Sequence, residues 1–394
     1  MLGEFKAGTL SIMPKAKISH KKSANQSAAK AGNSFPQQIA ALDQSLLQLA
    51  EQRIELLRRW AIESQNDSAT VGNPPPIWEQ IGVATEATNE LAVESKLPRP
   101  LAEELLRAMA GVTHFSASVQ IQIAYLGPLY SYSYLAAVEH FSESASLVPV
   151  SSIAAVFESI LQNQATYGVV PIENSTDGRI VDTLTMFAKL PVKICGEVML
   201  PIHHCLLSRT PRADIREVYS KPQALSQCRY WLSQNLPDAR VIEISSTTRA
   251  AQVAAEKSGA AAIASREAGK HYGLNIIADC IEDNADNTTR FAILGNQSPK
   301  RTGKDKTSIM FQIPHQSGAL ANAMHLFSKA KLNMTWIESF PIPGNSAEYL
   351  FFVELEGHSD DKNVASAIAA LSKKTLRLEM LGSYPKAFLG SGQT

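Results

Sequence analysis

Strand-like and helix-like segments alternate between residues 121 and 298, and this alternation constrains the fold more than any other feature of the chain. Residues 121–126 and 148–150 predict strands, and residues 133–141 and 153–162 predict helices. Further strands are predicted at 167–171, 197–200, 204–207, 218–219, 241–244 and 261–264, with helices at 222–235 and 247–258. Strands that alternate with helices build a sheet covered by helices, so this region is predicted to be an α/β domain.

A helical pattern precedes this domain, over residues 34–117. Ser34 and Gln37 form a capping-box pattern. Apolar residues then recur at intervals of three and four, at Ile39, Leu42, Leu46, Leu49, Leu56 and Trp60. The prolines at 74–76 end this helix, and weaker helical patterns follow at 77–96 and from residue 101. We therefore expect a small all-helical module.

Arg53 interrupts the apolar seam of the first predicted helix, since it lies seven residues from both Leu46 and Trp60. A guanidinium among apolar side chains must reach water along its own aliphatic stem or meet an anion. The seam alone leaves both interpretations open.

The two ends of the chain differ in pattern. Residues 305–389 predict a strand, helix, strand, strand, helix and strand, the βαββαβ order of a ferredoxin-like α+β domain. Residues 1–33 carry six lysines against one acidic residue, without apolar periodicity, which predicts a disordered tail. The chain is thus predicted to be multidomain.

Composition excludes several classes of protein. The 37 Lys and Arg residues balance 37 Asp and Glu residues, so a general nucleic-acid binder, which needs a basic surface, is not expected. No apolar run reaches the ~18 residues of a membrane helix. The four cysteines are widely spaced and form no C-x-x-C pair, which favours a reduced, cytoplasmic setting.

The loops after the predicted strands indicate a site for an anionic substrate. They are rich in hydroxyl and amide side chains, at 127–133, 171–178, 220–223, 245–248 and 287–291. Such groups, with helix N-termini, suit carboxylates and oxyanions. No metal is expected, because His203 and His204 are adjacent on a strand and point to opposite faces. Glycine-rich nucleotide motifs are absent, and Ser175 lacks a G-x-S-x-G context, so neither a nucleotide cofactor nor a hydrolase nucleophile is indicated.

Five motifs in these loops resemble the prephenate dehydratase family in order and spacing. They are Tyr125-Leu-Gly-Pro128 with Ser131-Tyr-Ser133, Val169-Val-Pro-Ile-Glu-Asn-Ser175, Val218-Tyr-Ser-Lys-Pro-Gln223, Gln227-Cys228 and Asn287-Thr-Thr-Arg-Phe291. The resemblance implies a lyase with a two-lobed fold like that of periplasmic binding proteins, over residues 121–298. It also implies that prephenate loses carbon dioxide and its ring hydroxyl to become phenylpyruvate, without a cofactor.

The resemblance also assigns roles to residues. Thr289 is expected to assist the departure of the hydroxyl, and the other residues expected around the reacting atoms are Asn174, Ser220 and Gln227. The residues expected to bind substrate are Arg290 as counter-charge, Phe291, Ser131, Ser133, Glu173, Ser175, Ser246 and Thr247. The hypothesis requires the Thr-Arg-Phe segment to lie beside the Glu-Asn-Ser loop.

The predicted C-terminal domain resembles the phenylalanine-binding ACT domain. Ser317-Gly-Ala-Leu320, Asn333, Glu338-Ser339 and Tyr349-Leu-Phe-Phe352 carry this resemblance, although Phe340 stands where the family has arginine. It implies feedback by phenylalanine through Gly318, Ala319, Leu320, Asn333, Glu338 and Ser339. ACT domains generally pair, so a homodimer or a larger even oligomer is expected.

The first predicted helix resembles that of an all-helical chorismate mutase, through Leu42-Asp43, Leu46-Leu47, Leu49 and Glu51-Gln-Arg53. Arg53 matches an arginine that holds substrate in that family. Other cations are missing, since Pro36 replaces an arginine, Ser64 replaces a lysine, and no lysine or arginine occurs between Arg59 and Lys96. We therefore expect a degenerate module with weak or no mutase activity, retained for dimerisation or as a scaffold.

Three alternatives stay open from the sequence. The chain could be a fully bifunctional chorismate mutase/prephenate dehydratase, or a dehydratase that acts on arogenate. In a different class, it could be a non-catalytic amino-acid-binding regulator built on the same lobes and ACT domain.

Overall fold

A computed structural model describes residues 35–66, 96–98, 101–102, 105–106, 121–141, 143, 145–296, 299–342 and 345–387. The predicted tail at 1–33 and all but Lys96 of the predicted helix at 77–96 lie outside these residues. Residues 101–102 and 105–106 are helical, within the third predicted helix.

Helix α1, Phe35–Asn66, is the first element of the described chain. Its apolar residues include Ile39, Leu42, Leu46, Leu49 and Leu56, and all of these side chains are exposed. Arg53 is half-buried, and its partial burial lowers the pKa of its guanidinium.

The first lobe of the central domain is a mixed sheet with the strand order β2-β1-β3-β11-β5, and β4 pairs with β3. Its strands are β1 Gln122–Leu126, β2 Ser146–Val150, β3 Tyr167–Asn174, β4 Gly178–Arg179, β5 Lys193–Pro201 and β11 Thr288–Gly295. Its helices are α2 Tyr132–Phe141, α3 Ile153–Leu161 and α4 Val181–Lys189. The late strand β11 lies between β3 and β5, antiparallel to both.

The second lobe is a five-stranded sheet with the order β10-β6-β9-β7-β8. Its strands are β6 Cys205–Ser208, β7 Glu217–Ser220, β8 Arg240–Glu243, β9 Ala260–Ala264 and β10 Asn275–Ala278. Its helices are α5 Pro222–Gln227, α6 Arg229–Asn235, α7 Thr247–Glu256 and α8 Arg266–His271, with a short 3-10 helix at Arg212–Asp214. The chain enters this lobe through residues 202–204 and leaves it through residues 279–287.

Helices α5 and α6 differ from the single helix predicted over residues 222–235. The break falls at Cys228. Both carboxylate oxygens of Asp283 accept hydrogen bonds from the backbone amides of Tyr230 and Trp231, at 2.9 and 3.0 Å. A carboxylate distant in sequence thus caps the second helix, which local periodicity could not reveal.

The C-terminal domain has the element order βαββαβ and the strand order β13-β14-β12-β15. Its elements are β12 Asp305–Gln312, α9 Ala319–Lys329, β13 Met334–Ile342, β14 Asn345–Glu356, α10 Lys362–Ser372 and β15 Arg377–Pro385. One apolar core joins this domain to the first lobe, because Ile194 and Leu294 pack in the same cluster as Phe352, Leu381 and Tyr384.

The cysteines and the helices bear on the setting of the protein. The four cysteines are present as free thiols, three of them buried. Among the described helices, none combines the length and apolar character that a membrane crossing requires. The cytoplasmic setting stays a prediction.

Candidate active site

Asn174 and Thr289 lie side by side although 115 positions separate them in the chain. They are cross-strand partners of β3 and β11, and the Asn174 Nδ2 atom lies 2.8 Å from Thr289 Oγ1. Both residues are buried. The Thr-Arg-Phe segment and the Glu-Asn-Ser loop are therefore adjacent, as the sequence hypothesis required.

The side-chain amide of Asn174 has a fixed orientation. Its Oδ1 atom accepts hydrogen bonds from the backbone amides of Thr176 and Asp177, each at 2.9 Å. Its Nδ2 atom must therefore be the donor to Thr289 Oγ1. Because the hydroxyl oxygen of Thr289 is the acceptor in this bond, its own hydrogen remains available for another acceptor.

A chain of amides extends from Asn174 into the second lobe. Asn174 Nδ2 also donates to Asn287 Oδ1 at 2.9 Å, and Asn287 Nδ2 donates to Gln227 Oε1 at 3.1 Å. Gln227 Nε2 donates to the carboxylate of Asp177 at 3.0 Å, which fixes the orientation of this amide as well. Three predicted catalytic residues, Thr289, Asn174 and Gln227, thus belong to one network that joins the two lobes.

His204 and Tyr132 complete the network. The Nε2 atom of His204 lies 2.9 Å from Gln227 Oε1, and its Nδ1 atom lies 2.9 Å from the Tyr132 hydroxyl. That hydroxyl also lies 2.7 Å from the carbonyl oxygen of His203. Burial lowers the pKa of His204, only partly opposed by Gln227 and Glu282. The lowered pKa favours the uncharged imidazole near neutral pH, and a hydrogen lies on Nε2 because Gln227 Oε1 is an acceptor.

The sequence did not single out Asn287, His204 or Tyr132 as network members. Asn287 and His204 lie in the two segments that connect the lobes. These segments pair through their backbones, since Ile202 N donates to Asn287 O at 2.8 Å and Ile281 N donates to His204 O at 2.9 Å. Asn287 immediately precedes Thr-Thr-Arg-Phe in the family motif. This position was the one feature of the sequence that could have identified Asn287 as a network member.

The predicted hydroxyl donors fall into two groups. Ser131 Oγ donates to Leu126 O at 3.0 Å, and Ser175 Oγ lies between Asp286 O and the Thr288 amide, so both brace loops. Ser133 is buried in the first turn of α2. At the start of α7, Ser246 accepts a hydrogen bond from the Arg249 amide at 3.0 Å and keeps its own hydrogen, and Thr247 is buried beside it.

Thr248 adds a hydroxyl that the sequence reasoning did not select. It is 2% exposed, and its Oγ1 atom has no hydrogen-bond partner in the described part of the chain. The N-terminus of α7 thus gathers three hydroxyl side chains where the helix presents free backbone amides.

Four predicted site residues have their side chains engaged elsewhere. Arg290, expected as the substrate's counter-charge, pairs with Glu173, Glu197 and Glu354. It projects from the opposite face of β11 to Thr289, because successive strand residues alternate. Glu173 is likewise directed to Arg290. Burial opposes the charge of Arg290, but the nearby carboxylates outweigh it and raise the pKa above its ordinary value.

Phe291 and Ser220 are the other two. Phe291 is 1% exposed and packs in the core of the first lobe with Tyr125 and Tyr134. Ser220 is fully buried, and its hydroxyl donates to the Ile263 carbonyl at 2.6 Å. Neither side chain can touch a substrate in this arrangement, which corrects the roles expected for them.

The predicted regulatory residues lie on two elements of the C-terminal domain. Gly318 has a left-handed backbone with φ of 78° and precedes α9, whose first residues are Ala319 and Leu320. Asn333 precedes β13, which carries Glu338 and Ser339. Glu338 pairs with Arg179 of β4 at 3.1 Å, an ion pair that links this domain to the first lobe.

One group of side chains in the described residues has the composition of a metal site. His203, Cys280 and Glu282 each bring a ligand atom within 4.8 Å of the others. The Glu282 carboxylate already bonds His203 Nδ1 and the backbone amide of His204, both at 2.8 Å. We therefore interpret this group as a brace of the connecting segments.

Taken together, the network around Thr289 offers hydrogen-bond donors, and its imidazole, His204, is separated from Thr289 by three amide side chains. The nearest partner of Thr289 Oγ1 is an amide, and the cation nearest in sequence, Arg290, is turned away. Such a site can hold an anion and stabilise a departing oxygen.

Comparison with known proteins gives consistent matches. The family model described as prephenate dehydratase matches residues 123–299. A bifunctional chorismate mutase/prephenate dehydratase from Aquifex aeolicus (strain VF5) is 38% identical over 353 residues, which cover 89% of this chain and 97% of that protein.

Two solved structures extend the comparison. The prephenate dehydratase of Arthrobacter aurescens, solved in complex with L-Phe, has 30% identity and a TM-score of 0.63, over 67% of this chain and 90% of that one. GqqA, described as a novel type of quorum quenching acylase, has 28% identity and a TM-score of 0.62, over 68% of this chain and 98% of that one.

Proposed function

The chain belongs to the prephenate dehydratase family, and we propose that it converts prephenate into phenylpyruvate, carbon dioxide and water. One observation carries the proposal: Thr289 Oγ1 accepts a hydrogen bond from Asn174, so that its own hydrogen is free to face a substrate. A hydroxyl held in this way is suited to stabilise the oxygen that leaves the ring.

The reaction breaks two bonds of the substrate. The bond between the ring carbon and the carboxylate breaks, and its electron pair enters the ring as the bond to the hydroxyl oxygen breaks. Carbon dioxide departs, and the hydroxide that leaves takes up one proton to become water. Since the ring becomes aromatic, the protein has to orient the substrate and stabilise the leaving oxygen. Thr289 is a poor acid, so it acts as a hydrogen-bond donor or relays a proton from water.

The two carboxylates of the substrate need donors of their own. We assign one of them to the N-terminus of α7, where Ser246 keeps its hydroxyl hydrogen and the first-turn amides of Thr247 and Thr248 have no acceptor within the helix. Ser131 and Ser175 serve mainly to hold their loops in the first lobe. Gln227 and Asn287 would keep the Asn174 amide in place while substrate binds.

Substitution of Thr289 tests the proposal. Thr289→Val keeps the shape and removes the hydroxyl, and turnover of prephenate is expected to fall about 10²-fold or more. Thr289→Ser keeps the hydroxyl and should retain most of the turnover. Thr288→Val, at the neighbouring position, is the matched control. Wild-type turnover in the Thr289→Val protein would overturn the assignment.

A comparison of substrates separates the alternatives. Purified protein would receive chorismate, prephenate and arogenate in separate assays, with phenylpyruvate or phenylalanine measured as product. Faster turnover of arogenate would indicate an arogenate dehydratase, and rapid loss of chorismate would indicate a bifunctional enzyme. A protein inert toward all three, yet able to bind phenylalanine, would favour the non-catalytic regulator.

The likeness to an acylase structure does not favour a second function here. Amide hydrolysis by a threonine requires a base that removes the hydroxyl proton. Thr289 Oγ1 is bonded to an amide N–H, and His204 is separated from it by Gln227, Asn287 and Asn174. An assay for release of fatty acid from acyl amides would complete the comparison of activities.

We further propose that the C-terminal domain is an ACT domain that binds phenylalanine and lowers dehydratase activity. The L-Phe complex of the Arthrobacter aurescens relative supports this ligand, and the βαββαβ order supports the domain type. Gly318 would admit the ligand close to the backbone, and Glu338 would pair with its ammonium group. Inhibition of prephenate turnover by added phenylalanine is the test.

A homodimer in the cytoplasm completes the proposal. Strand β13 is an edge of its sheet, and α1 exposes an apolar stripe that includes Leu42, Leu46 and Leu49. Exposed apolar side chains in a row are typical of surfaces that meet a second chain. Light scattering of the full chain should give a mass of two subunits or a larger even number.

A further inference from the structure

Strand β11 presents neighbouring residues to two different parts of the molecule. Thr289 faces the amide network formed with Asn174, and Arg290 projects from the other face toward the C-terminal domain. The partner strand repeats this arrangement, because Asn174 pairs with Thr289 and Glu173 pairs with Arg290 in the register. On the opposite face of the sheet from Asn174 and Thr289 there is therefore a second cross-strand pair, Glu173 and Arg290, whose side chains carry opposite charges.

The guanidinium of Arg290 is held from several sides. Nη1 lies 2.5 Å from Glu354 Oε1 and 3.3 Å from Glu197 Oε2, and Nε lies 3.1 Å from Glu173 Oε2. The ring of Trp336 lies under the guanidinium at 5.0 Å from its centroid. The shortest of these contacts is made by a residue of β14, in the C-terminal domain.

The ion cluster around Arg290 is closed by further groups of the C-terminal domain. Lys306 Nζ lies 2.9 Å from Glu197 Oε1 and 3.7 Å from Glu354 Oε2. The Tyr384 hydroxyl lies 3.4 Å from Glu354 Oε1. Arg290 and Glu354 are 5% and 1% exposed, respectively. A cluster of this kind adds little net stability over apolar packing, but removal of one member leaves its partners buried and poorly paired.

We infer that Glu354 is a positioning residue for Thr289. Glu354 acts through Arg290, across the boundary between the C-terminal domain and the first lobe. By holding the guanidinium, Glu354 fixes the backbone of β11 at Thr289 and its register against β3. A displacement of about 1 Å at a catalytic group can cost about 10²-fold in rate. The C-terminal domain thereby contributes to the catalytic geometry even before it binds any ligand. This inference rests on the proposed function.

The test uses two glutamates of the same strand. Glu354→Gln keeps an acceptor for Arg290 and removes the negative charge. Glu354→Leu removes the acceptor as well as the charge. The cluster holds two cations and three carboxylates, so Arg290 and Lys306 keep Glu173 and Glu197 as partners when Glu354 is lost. Glu356 is two residues away on β14, pairs with Lys386 and is half-exposed, so Glu356→Gln and Glu356→Leu are matched controls.

Steady-state kinetics with prephenate should separate positioning from simple attachment of the domains. We expect kcat to fall roughly tenfold or more in Glu354→Leu, and less in Glu354→Gln, with KM changed by less than about threefold. The Glu356 variants should stay within about twofold of wild type. A lower melting temperature with unchanged kcat would show that Glu354 only attaches the domains, and would overturn the inference.

Hydrogen exchange gives a second readout that does not depend on activity. Amides of residues 288–291 should exchange faster in both Glu354 variants than in the Glu356 controls. If the wild type fails to turn over prephenate, the proposed function fails, and the exchange result alone decides the inference. Equal exchange in the Glu354 and Glu356 variants would then overturn it.

Discussion

The side-chain amide of Asn174, on β3, donates a hydrogen bond to the hydroxyl of Thr289, on the neighbouring strand β11, at 2.8 Å. The direction of this bond decides which hydrogen Thr289 can offer. Two backbone amides fix it by occupying the Asn174 oxygen.

Asn174→Asp should reverse this direction at nearly constant shape. An ionised carboxylate would accept the hydrogen of Thr289, which would then be lost to the substrate, and we expect kcat to fall about 10²-fold at pH 8. As the pH falls, the protonated carboxyl could donate to Thr289 again, so turnover of the variant relative to wild type should rise. The measurement is a pH profile of kcat for both proteins. A ratio independent of pH would contradict this account.

His204 should make the stability of the protein sensitive to acid. Burial lowers its pKa in the folded state below the ordinary histidine value of about 6.5, with Glu282, His203, Asp177 and Tyr132 as its ionisable neighbours. In the pH range between the folded and unfolded values, the unfolded chain binds more protons at this position. The free energy of unfolding contributed by His204 is therefore complete above pH 6.5 and is lost as the pH falls through the folded pKa.

The check is chemical denaturation between pH 7.5 and pH 5 of wild type and His204→Gln. The amide of glutamine can donate and accept like neutral histidine, but does not titrate. As the pH falls, the free energy of unfolding of the wild type should decrease by up to about 1.4 kcal/mol per pH unit more than that of the variant. Parallel curves for wild type and His204→Gln would refute the assignment of a buried neutral histidine.

Apolar patterns in the sequence indicated much of the α/β architecture, because strands buried on both faces, such as β9, are apolar runs, whereas helices such as α3 bury one face. The sequence patterns placed residues 287–291 in a loop, whereas Thr288–Gly295 form strand β11, which corrects that prediction. They could not reveal that β11 lies between β3 and β5, since those pairings join residues 87 to 126 positions apart. Strand β10 was also missed. Its residues are mostly exposed or half-buried, so its apolar signal is weak.

The candidate site was predictable to the extent that it follows motifs. Thr289, Asn174 and Gln227 meet in one network. The role expected for Arg290 followed from placing residues 287–291 in a loop. In the structure Thr289 and Arg290 lie on β11, where adjacent residues face opposite ways, so their side chains point to different sides of the sheet. Nothing local marked His204, because its partners come from α2 and α5.

Arg179 and Glu338 should influence the proposed response to phenylalanine in opposite ways. Their ion pair occupies the carboxylate that we assign to the ligand's ammonium group. Arg179→Gln removes the competing cation and should strengthen inhibition by phenylalanine, by up to about fivefold, since exposed ion pairs contribute at most about 1 kcal/mol. Glu338→Gln should weaken it.

Inhibition curves for the two variants and wild type measure this effect. Glu379→Gln, which breaks the exposed pair with Arg377, is the control and should leave the curve unchanged. Equal curves for Arg179→Gln and Glu338→Gln would remove Glu338 from the proposed ligand site.

Chorismate turnover should be weak in the wild-type protein. Arg53 is half-buried on α1, and the sequence offers few other cations to surround a dianion in the first helix or up to Lys96. We expect kcat/KM for chorismate at least about 10²-fold below that for prephenate, because the rearrangement needs several donors around its carboxylates. Arg53→Ala should leave prephenate turnover unchanged. Comparable values for the two substrates would establish a bifunctional enzyme.

Gly382 should be essential for docking of the C-terminal domain on the first lobe. Its backbone has φ of 155°, and a Cβ atom there would lie 2.0 Å from the Ile194 carbonyl oxygen of β5. The Ile194 carbonyl belongs to a strand that is hydrogen-bonded in its sheet and can shift only at a cost in free energy. Gly382→Ala should therefore lower the free energy of unfolding by more than about 2 kcal/mol. Gly303→Ala is the control, since Gly303 has φ of 87° and no atom within 4 Å of the added carbon. That control carries only backbone strain, about 1 kcal/mol. Thermal unfolding measures this effect. Equal decreases in the free energy of unfolding for Gly382→Ala and Gly303→Ala would mean that β15 does not approach β5 as closely as the structure shows.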